Sequence, residues 1–201
     1  MKNNKEEIFE KAFSMFLSEH YELVTIKKIE QETGYSRGGI FYYAENKEDL
    51  FRKIMDYFVF EKQNIKRKVS VRSVTLYGFI EEYLKGVQAT VKMLRSYVPH
   101  LSLSKLARSY LALGLQAGNH YEGWETKIHE VFDAEIQCWE EVICQAQRNG
   151  EIRSDIASRT LAEMFRFVFL GLSYSDALDK GINIEHLREL FMDLYNMIKM
   201  K

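Results

Sequence analysis

The sequence predicts an all-α fold. Three observations lead there: one residue in 201 is proline, apolar residues make up 46% of the chain and aromatic ones 13%, and the apolar positions recur at helical rather than alternating spacing. A chain of this length can bury a full core without disulfides or metals. Cys138 and Cys144 are six apart on one predicted helix, too far for a C-x-x-C redox or zinc pair, and read as ordinary thiols in a reducing compartment.

Each element has its own signal. Ile8, Phe9, Ala12, Phe13, Phe16 and Leu17 share one wide face of a first helix. Thr25 is a fit N-cap for a short second helix to Thr33, with Val24 and Ile29 placed as a hydrophobic staple. Gly34 suits a helix end that needs positive φ, and Ser36 caps a third helix almost at once, so the two short helices meet at a tight turn. The third helix runs to about Tyr43. Asn46 then caps a fourth, with Glu48 and Asp49 near the positive end of its dipole, which continues through Leu50, Ile54 and Phe58 to about Lys68. Further helices are predicted over about 75–96, ended by Pro99, and about 102–117, ended by Gly118-Asn119. A long one over about 123–149 carries Trp124, Ile128, Val131, Cys138, Trp139 and Val142 on one stripe and stops at Gly150. The last two span about 155–180 and 183–200. A soft boundary at the fourth helix divides the chain into a three-helix head, residues 1–47, and a larger helical body, residues 48–201.

The stretch TIKKIEQETGYSRGGIFYYAENKEDLF, Thr25 to Phe51, joins a capped short helix, a glycine turn, a second short helix and the start of a third. This is a helix-turn-helix arrangement, in which the first helix braces the second and the second offers its leading residues to base edges in a major groove. The formal net charge of -1 gives no general attraction to nucleic acid, so this motif carries the DNA reading. Lys27, Lys28, Arg37 and Lys47 stand against Glu30, Glu32 and Glu45, which predicts modest non-specific affinity. Gly38-Gly39 leaves the front of the third helix nearly bare, so its backbone can come close to DNA while few side chains remain to read bases. Arg37 is the long donor there, suited either to a guanine edge or to a phosphate. Tyr42 and Tyr43 point about 100° apart on a helix and cannot share one buried face.

The order Thr25, then Ser36-Arg37-Gly38, an aliphatic residue, three aromatics, and Asn46-Lys47-Glu48-Asp49-Leu50 resembles the TetR family of repressors over the first ~50 residues. The resemblance implies an all-α regulator with a DNA-binding head and a helical ligand-binding and dimerisation domain. It implies a phosphate contact at Thr25, the start of the recognition helix at Ser36 and Arg37, backbone contacts at Tyr42 and Tyr43, and a phosphate grip at Lys47. Phe41 stands where the family usually has tyrosine, which removes a hydroxyl contact. Ala44 replaces a larger apolar residue, which implies a looser wedge of the third helix against the first.

In the helix from about Asp155, apolar residues from Leu161 to Leu172 surround nearly the whole circumference, and Leu187, Leu190, Phe191, Leu194, Met197 and Ile198 form a stripe on the last helix. Together with the resemblance, this predicts a four-helix homodimer interface including Phe165, Val168, Phe169, Leu172, Leu187, Leu190, Phe191 and Leu194. The resemblance also implies a small effector, apolar or aromatic, bound within the body. Phe79, Tyr83, Tyr97, Tyr110, Phe132 and Trp139 are the candidate lining, with plain core packing as the alternative for each.

Two other classes fit parts of the sequence. Glu125, His129 and Asp133 lie at i, i+4 and i+8 and could hold a metal, but no catalytic motif accompanies them and a solvated stripe explains them more simply. A helical interaction protein without DNA binding fits the bare Gly38-Gly39 front. The expectation is therefore a regulator and not an enzyme, with double-stranded DNA as partner and no cofactor or metal. The start, MKNNKEEIFEKAF, lacks a signal-peptide core and reads as a mature N-terminus; no apolar run approaches the ~20 residues of a membrane span, so a cytoplasmic location is expected.

Overall fold

The computed structural model describes residues 4–62, 65 and 75–200. Helices account for the architecture, and among the described residues the only β pairing is an isolated bridge between Ile152 and Lys199. The head comprises α1 (Asn4–Ser18), a 3₁₀ turn (Tyr21–Leu23), α2 (Ile26–Thr33) and α3 (Arg37–Phe41). Then follow α4 (Lys47–Met55), α5 (Leu76–Tyr97), α6 (Leu103–His120), α7 (Trp124–Arg148), α8 (Ser158–Leu178) and α9 (Ile184–Ile198).

The caps work as the residue types require. Thr25, Ser36, Asn46, Thr75, Ser102 and Asn183 each accept a first-turn backbone N–H, and Gly34 closes α2 at φ 79°. Val24 and Ile29, the expected staple, are both fully buried.

Several expectations are corrected. The fourth helix is not one continuous α-helix: after Met55 the chain widens into a π-helix over Asp56–Glu61, closed by the Lys62 N–H donating to the Tyr57 carbonyl at 3.2 Å. The wider turn lets two nearby phenylalanines both find the core, Phe58 against Phe13 and Phe60 against Tyr121 and Trp124. Apart from the buried Ile65, its expected continuation over 63–68 lies outside the described residues. Gly118-Asn119 does not end α6, which runs on to His120. Gly118 instead makes room for the Trp124 ring, 3.7 Å from where a Cβ would stand. Helix α8 starts at Ser158 and not at Asp155, because the Gln147 side chain takes the Arg153 and Ile156 carbonyls and holds 153–156 as a loop.

Two apolar clusters hold the molecule together. The first joins α1, α2, α3 and α4 to Leu94 and Val98 after the middle of α5 and to Leu106, Leu113 and Ala117 of α6, so it spans head and body. The second is built by α5, α7, α8 and α9 around Trp139, whose ring stacks on Phe165 at 4.8 Å and meets Phe79 at 4.7 Å and Phe191 at 5.7 Å. Phe165, Leu187 and Phe191 are wholly buried there and Leu194 is 8% exposed. Their expected place at a partner's surface is therefore corrected: their apolar area is already spent within the chain. Val168, Phe169, Leu172 and Leu190 are half-buried, while Met164, Phe167, Gly171, Tyr174 and Leu178 form an exposed stripe on α8 with Met197 exposed on α9.

Two glycines separate backbone demand from simple helix propensity. Gly181 has φ 86°, and a Cβ there would lie 2.7 Å from the Leu103 carbonyl atoms; Gly114 sits inside α6 with open space around it. Gly181→Ala should cost about 2 kcal/mol or more, through strain and the loss of the turn that carries the chain from α8 to α9 against the start of α6. Gly114→Ala should instead gain about 0.5–1 kcal/mol. Urea unfolding midpoints of the two variants check both signs.

Candidate nucleic-acid interface

The turn between α2 and α3 is fixed from several sides. Thr33 is buried and donates its hydroxyl to the Ile29 carbonyl at 2.6 Å, while the Tyr35 N–H donates to the Thr33 hydroxyl at 3.2 Å. The Tyr35 hydroxyl donates to Glu7 of α1 at 3.2 Å, and Lys11 Nζ of α1 donates to the Glu32 carbonyl at 2.9 Å. Ile40 and Ala44 anchor α3 and its exit in the first core, so the small Ala44 is closed over at 3% exposure and leaves no gap to solvent. With its back fixed, α3 turns Ser36, Arg37 and Gly38 to solvent.

The outward face contains the predicted residues. Thr25 is exposed at the start of α2, its Oγ1 accepting the Lys28 N–H at 3.2 Å; Ser36 accepts the Gly39 N–H at 3.3 Å. Asn4, Tyr35, Gly38, Gly39, Tyr42 and Tyr43 line a shallow hollow of about 270 Å³. Tyr42 is 81% exposed and Tyr43 half-buried, their rings edge to face at 5.0 Å, which settles the divergence expected of adjacent helical positions. Arg37 is exposed, with its guanidinium 5.4 Å from the Phe41 ring centroid. Phe41 thus serves as a platform for the arginine where a tyrosine hydroxyl is missing.

Gly38 and Gly39 carry no backbone demand. Neither has a positive φ, and a Cβ at either would meet nothing nearer than 3.6 Å. Neither backbone conformation nor packing within the described structure requires glycine at these two positions.

Lys47 differs from a free surface lysine. Its Nζ lies 3.8 Å from the Tyr21 ring centroid; partial burial pulls its pKa down, with the Glu22 and Glu48 carboxylates opposing that shift. Tyr21 is the centre of a joint that sequence reasoning missed. Its N–H donates to Gln116 Oε1 at 2.6 Å, and its ring stacks on His120 of α6 at 3.7 Å and meets Phe51 of α4 at 5.0 Å. Burial, with Glu48 and Glu22 adding, pushes its hydroxyl up to about 12. His120 also faces the Glu22 carboxylate at 3.6 Å. Gln116 and His120 lie nearly a hundred residues from Tyr21, so no local pattern announces the joint.

Of the six aromatics expected around an effector, the structure gathers Phe79, Tyr83 and Trp139 in the second core, with Tyr83 and Trp139 5.0 Å apart. Phe132 lies beside this group, under the Arg166 guanidinium at 4.1 Å. Tyr97 and Tyr110 pack on the first core instead, Tyr97 edge-on to Phe13 and Phe58 at 5.3 Å from each. Glu125, His129 and Asp133 are all exposed, and among the described residues no group of three or more His, Cys, Asp and Glu could hold a metal.

The elbow between α3 and α4 depends on Asp49. Burial would raise its pKa, but the Lys53 ammonium at 2.8 Å, the Glu45 N–H at 3.0 Å and Arg52 at 2.5 Å outweigh it, leaving the value at about 2 against an ordinary 3.8. A depressed folded-state pKa means stability that is present above about pH 4 and lost as pH falls toward 2. Stability measured against pH should fall through that window in the native chain, and the fall should shrink in Asp49→Asn, which is less stable at neutral pH.

Comparison with known proteins places this geometry. Residues 4–54 match the family model of bacterial regulatory proteins, tetR family. An HTH-type transcriptional regulator of Bacillus subtilis, YfiR, is 40% identical over 50 residues, 25% of this chain and 24% of that protein. The HTH-type transcriptional repressor AcnR of Corynebacterium glutamicum is 43% identical over 49 residues, 24% and 26% of the two chains. The similarity thus spans about a quarter of the length of these relatives. Among solved structures, a TetR transcription regulator from Haloarcula marismortui superposes with a TM-score of 0.74 at 18% identity over 98% of both chains. The SmeT–triclosan complex does so with a TM-score of 0.66 at 16% identity, over 100% of this chain and 93% of the other. At such identities the likeness is one of fold, and it extends over head and body together.

Proposed function

From the match of residues 4–54 to the tetR family model of bacterial regulatory proteins, we propose that this chain is a DNA-binding transcriptional regulator, a repressor that grips a pseudo-palindromic operator as a homodimer and is released by a small-molecule effector. One observation carries the reading. A capped helix, a left-handed glycine turn and a second helix present a leading edge, Gly38-Gly39, that is bare without any internal reason to be.

In this reading the head is residues 1–47 and the body residues 48–201. Thr25, Ser36, Tyr42, Tyr43 and Lys47 hold phosphates, Gly38 and Gly39 admit the backbone to the groove, and Arg37 reads a base. Holding the Arg37 guanidinium over Phe41 lowers the entropy lost when it docks. Lys47 joins from the first turn of α4 and brings the Tyr21 joint into contact with whatever the head binds. Because the binding is dominated by phosphate contacts, its affinity falls steeply with salt.

A dimer follows from the surface left over by the second core. Met164, Phe167, Gly171, Tyr174 and Leu178 recur at three- and four-residue steps along α8, the spacing of a helix seam, and Leu190 and Met197 extend it onto α9. Two copies joined there give four packed helices and two heads about one turn of DNA, roughly 34 Å, apart or a multiple of it. The effector site lies in the body near Tyr83, Phe132 and Trp139, in a fold whose likeness in SmeT holds triclosan. No helix among the described residues is long and apolar enough to cross a membrane, which suits a regulator acting on DNA in the cytoplasm.

Selection of binding sites from random double-stranded DNA at moderate salt tests the reading: a two-fold-related consensus is expected. With Arg37→Ala, preference at one position per half-site should relax, costing about 1–3 kcal/mol there. Recovery of no consensus by the native chain would refute DNA reading altogether. Phe167→Asp should convert the dimer into a monomer in sedimentation equilibrium while helical content is retained, since Phe167 is 59% exposed in the single chain.

A further inference from the structure

The apolar run from Met164 to Leu172 contains one charged residue, Arg166, and the structure buries it to 5% exposure. Its Nε donates to Glu135 Oε2 of α7 at 3.2 Å. The Tyr83 hydroxyl of α5 donates to the other oxygen, Glu135 Oε1, at 2.9 Å. The Phe132 ring lies beneath the guanidinium, 4.1 Å from Cζ, and Phe169 closes edge-on against Tyr83 at 5.7 Å. Carboxylate, phenol and ring thus hold the guanidinium in one orientation between apolar walls.

Its donors are not used up. Among the described residues, three buried side-chain nitrogen or oxygen atoms have no hydrogen-bond partner: Arg166 Nη2, Ser173 Oγ and Trp139 Nε1. Ser173 lies seven residues beyond Arg166 on α8, two turns along nearly the same face. A buried N–H of a charged group left without an acceptor is destabilising, and the backbone carbonyls of α8 are engaged in its own ladder. A donor fixed in place, buried and without a partner in the chain is complementary to an oxygen that arrives from outside it.

We propose that Arg166 Nη2 is the polar anchor of the effector site, and that the effector is a neutral, mainly aromatic or apolar molecule whose carbonyl-type oxygen accepts from it. The inference rests on the reading of the body as an effector-binding domain. Neutrality follows from charge balance: Glu135 already compensates Arg166, so a second carboxylate would bring an uncompensated negative charge into a site of low dielectric. Burial and the adjacent Glu135 carboxylate raise the Tyr83 pKa well above 10, so its hydroxyl stays a neutral donor that keeps Glu135 in place. Phe132, half-buried, covers the guanidinium face from the rim.

The test uses the full chain and three probes sharing one ring: acetophenone with a neutral carbonyl, ethylbenzene with no acceptor and benzoate with a carboxylate. Each is titrated at millimolar concentration, read by tryptophan fluorescence and by the rise in Tm without DNA present. Acetophenone is expected to bind at least about tenfold more tightly than ethylbenzene or benzoate, an advantage that Arg166→Met abolishes. Should that variant unfold because Glu135 is left unpaired, Arg166→Met with Glu135→Gln removes both charges and must show the same loss. Absence of acetophenone binding, equal binding of acetophenone and ethylbenzene, tighter binding of benzoate, or an advantage that survives the substitution overturns the proposal. The site selection described above is read separately. A two-fold consensus without probe discrimination removes only this inference, and discrimination without a consensus removes only the DNA reading.

Discussion

Phe13, wholly buried in α1, lies flat against Phe58 with ring centroids 4.4 Å apart and an interplanar angle of 9°, and the Tyr97 ring stands edge-on to both. Those three rings come from the head, the π-helical stretch and the end of α5, and the rest of the first core is arranged around them. Aromatic pairs of this kind add directional preference to their area burial, so they fix relative orientation as well as proximity. Around the same seam Ser14 donates to the Tyr97 carbonyl at 2.8 Å, Lys62 to the Tyr97 hydroxyl at 3.3 Å, and Tyr121 to Asp56 at 2.6 Å. The head is therefore an extension of the body's core and does not hang on a linker. The position of α3 in space depends on α5 and α6 as directly as on α1 and α2.

What could be read from the sequence divides along the same line. Thr25, Gly34, Ser36 and Asn46 announce their helix ends within four residues of themselves, because capping is a local exchange between a side chain and the nearest free N–H groups, or a local need for positive φ. The candidate interface residues inherit that legibility, since a tight turn and a short helix leave few ways to present Arg37, Gly38 and Tyr42. The Tyr21–His120 stack, the Gln116 bond and the reassignment of Tyr97 were not legible, because each depends on which distant helix arrives beside it. Gly118 shows how a local rule gives way: a residue that often ends helices stays inside α6, where the approaching Trp124 ring rewards its missing side chain. The one arginine in the run from Met164 to Leu172 was a signal present in the sequence but hidden by the hydrophobicity around it.

Helix α8 shows why an apolar helix cannot be assigned to a partner from composition alone. Nearly every side of it is apolar, yet Phe165 and Leu161 face the second core while Phe167 and Tyr174 face outward. Phe165 and Phe167 are only two residues apart, and the packing of α5, α6, α7 and α9 around the helix decides which faces inward. The same division places Arg166 on the inner side, where its charge requires Glu135, and Glu135 in turn requires Tyr83. The polar triad is thus a consequence of how α8 is rotated about its own axis.

That notion of rotation applies also to the π-helix of Asp56–Glu61. A π turn carries one residue more than an α turn, and one helical residue is worth about 100° of phase and 1.5 Å of travel. The extra residue therefore acts as a keyway between two shafts. It sets the compass bearing of everything N-terminal to it, so the side of the molecule on which Gly38-Gly39 emerges is indexed by a local count of residues in the chain that joins head to body.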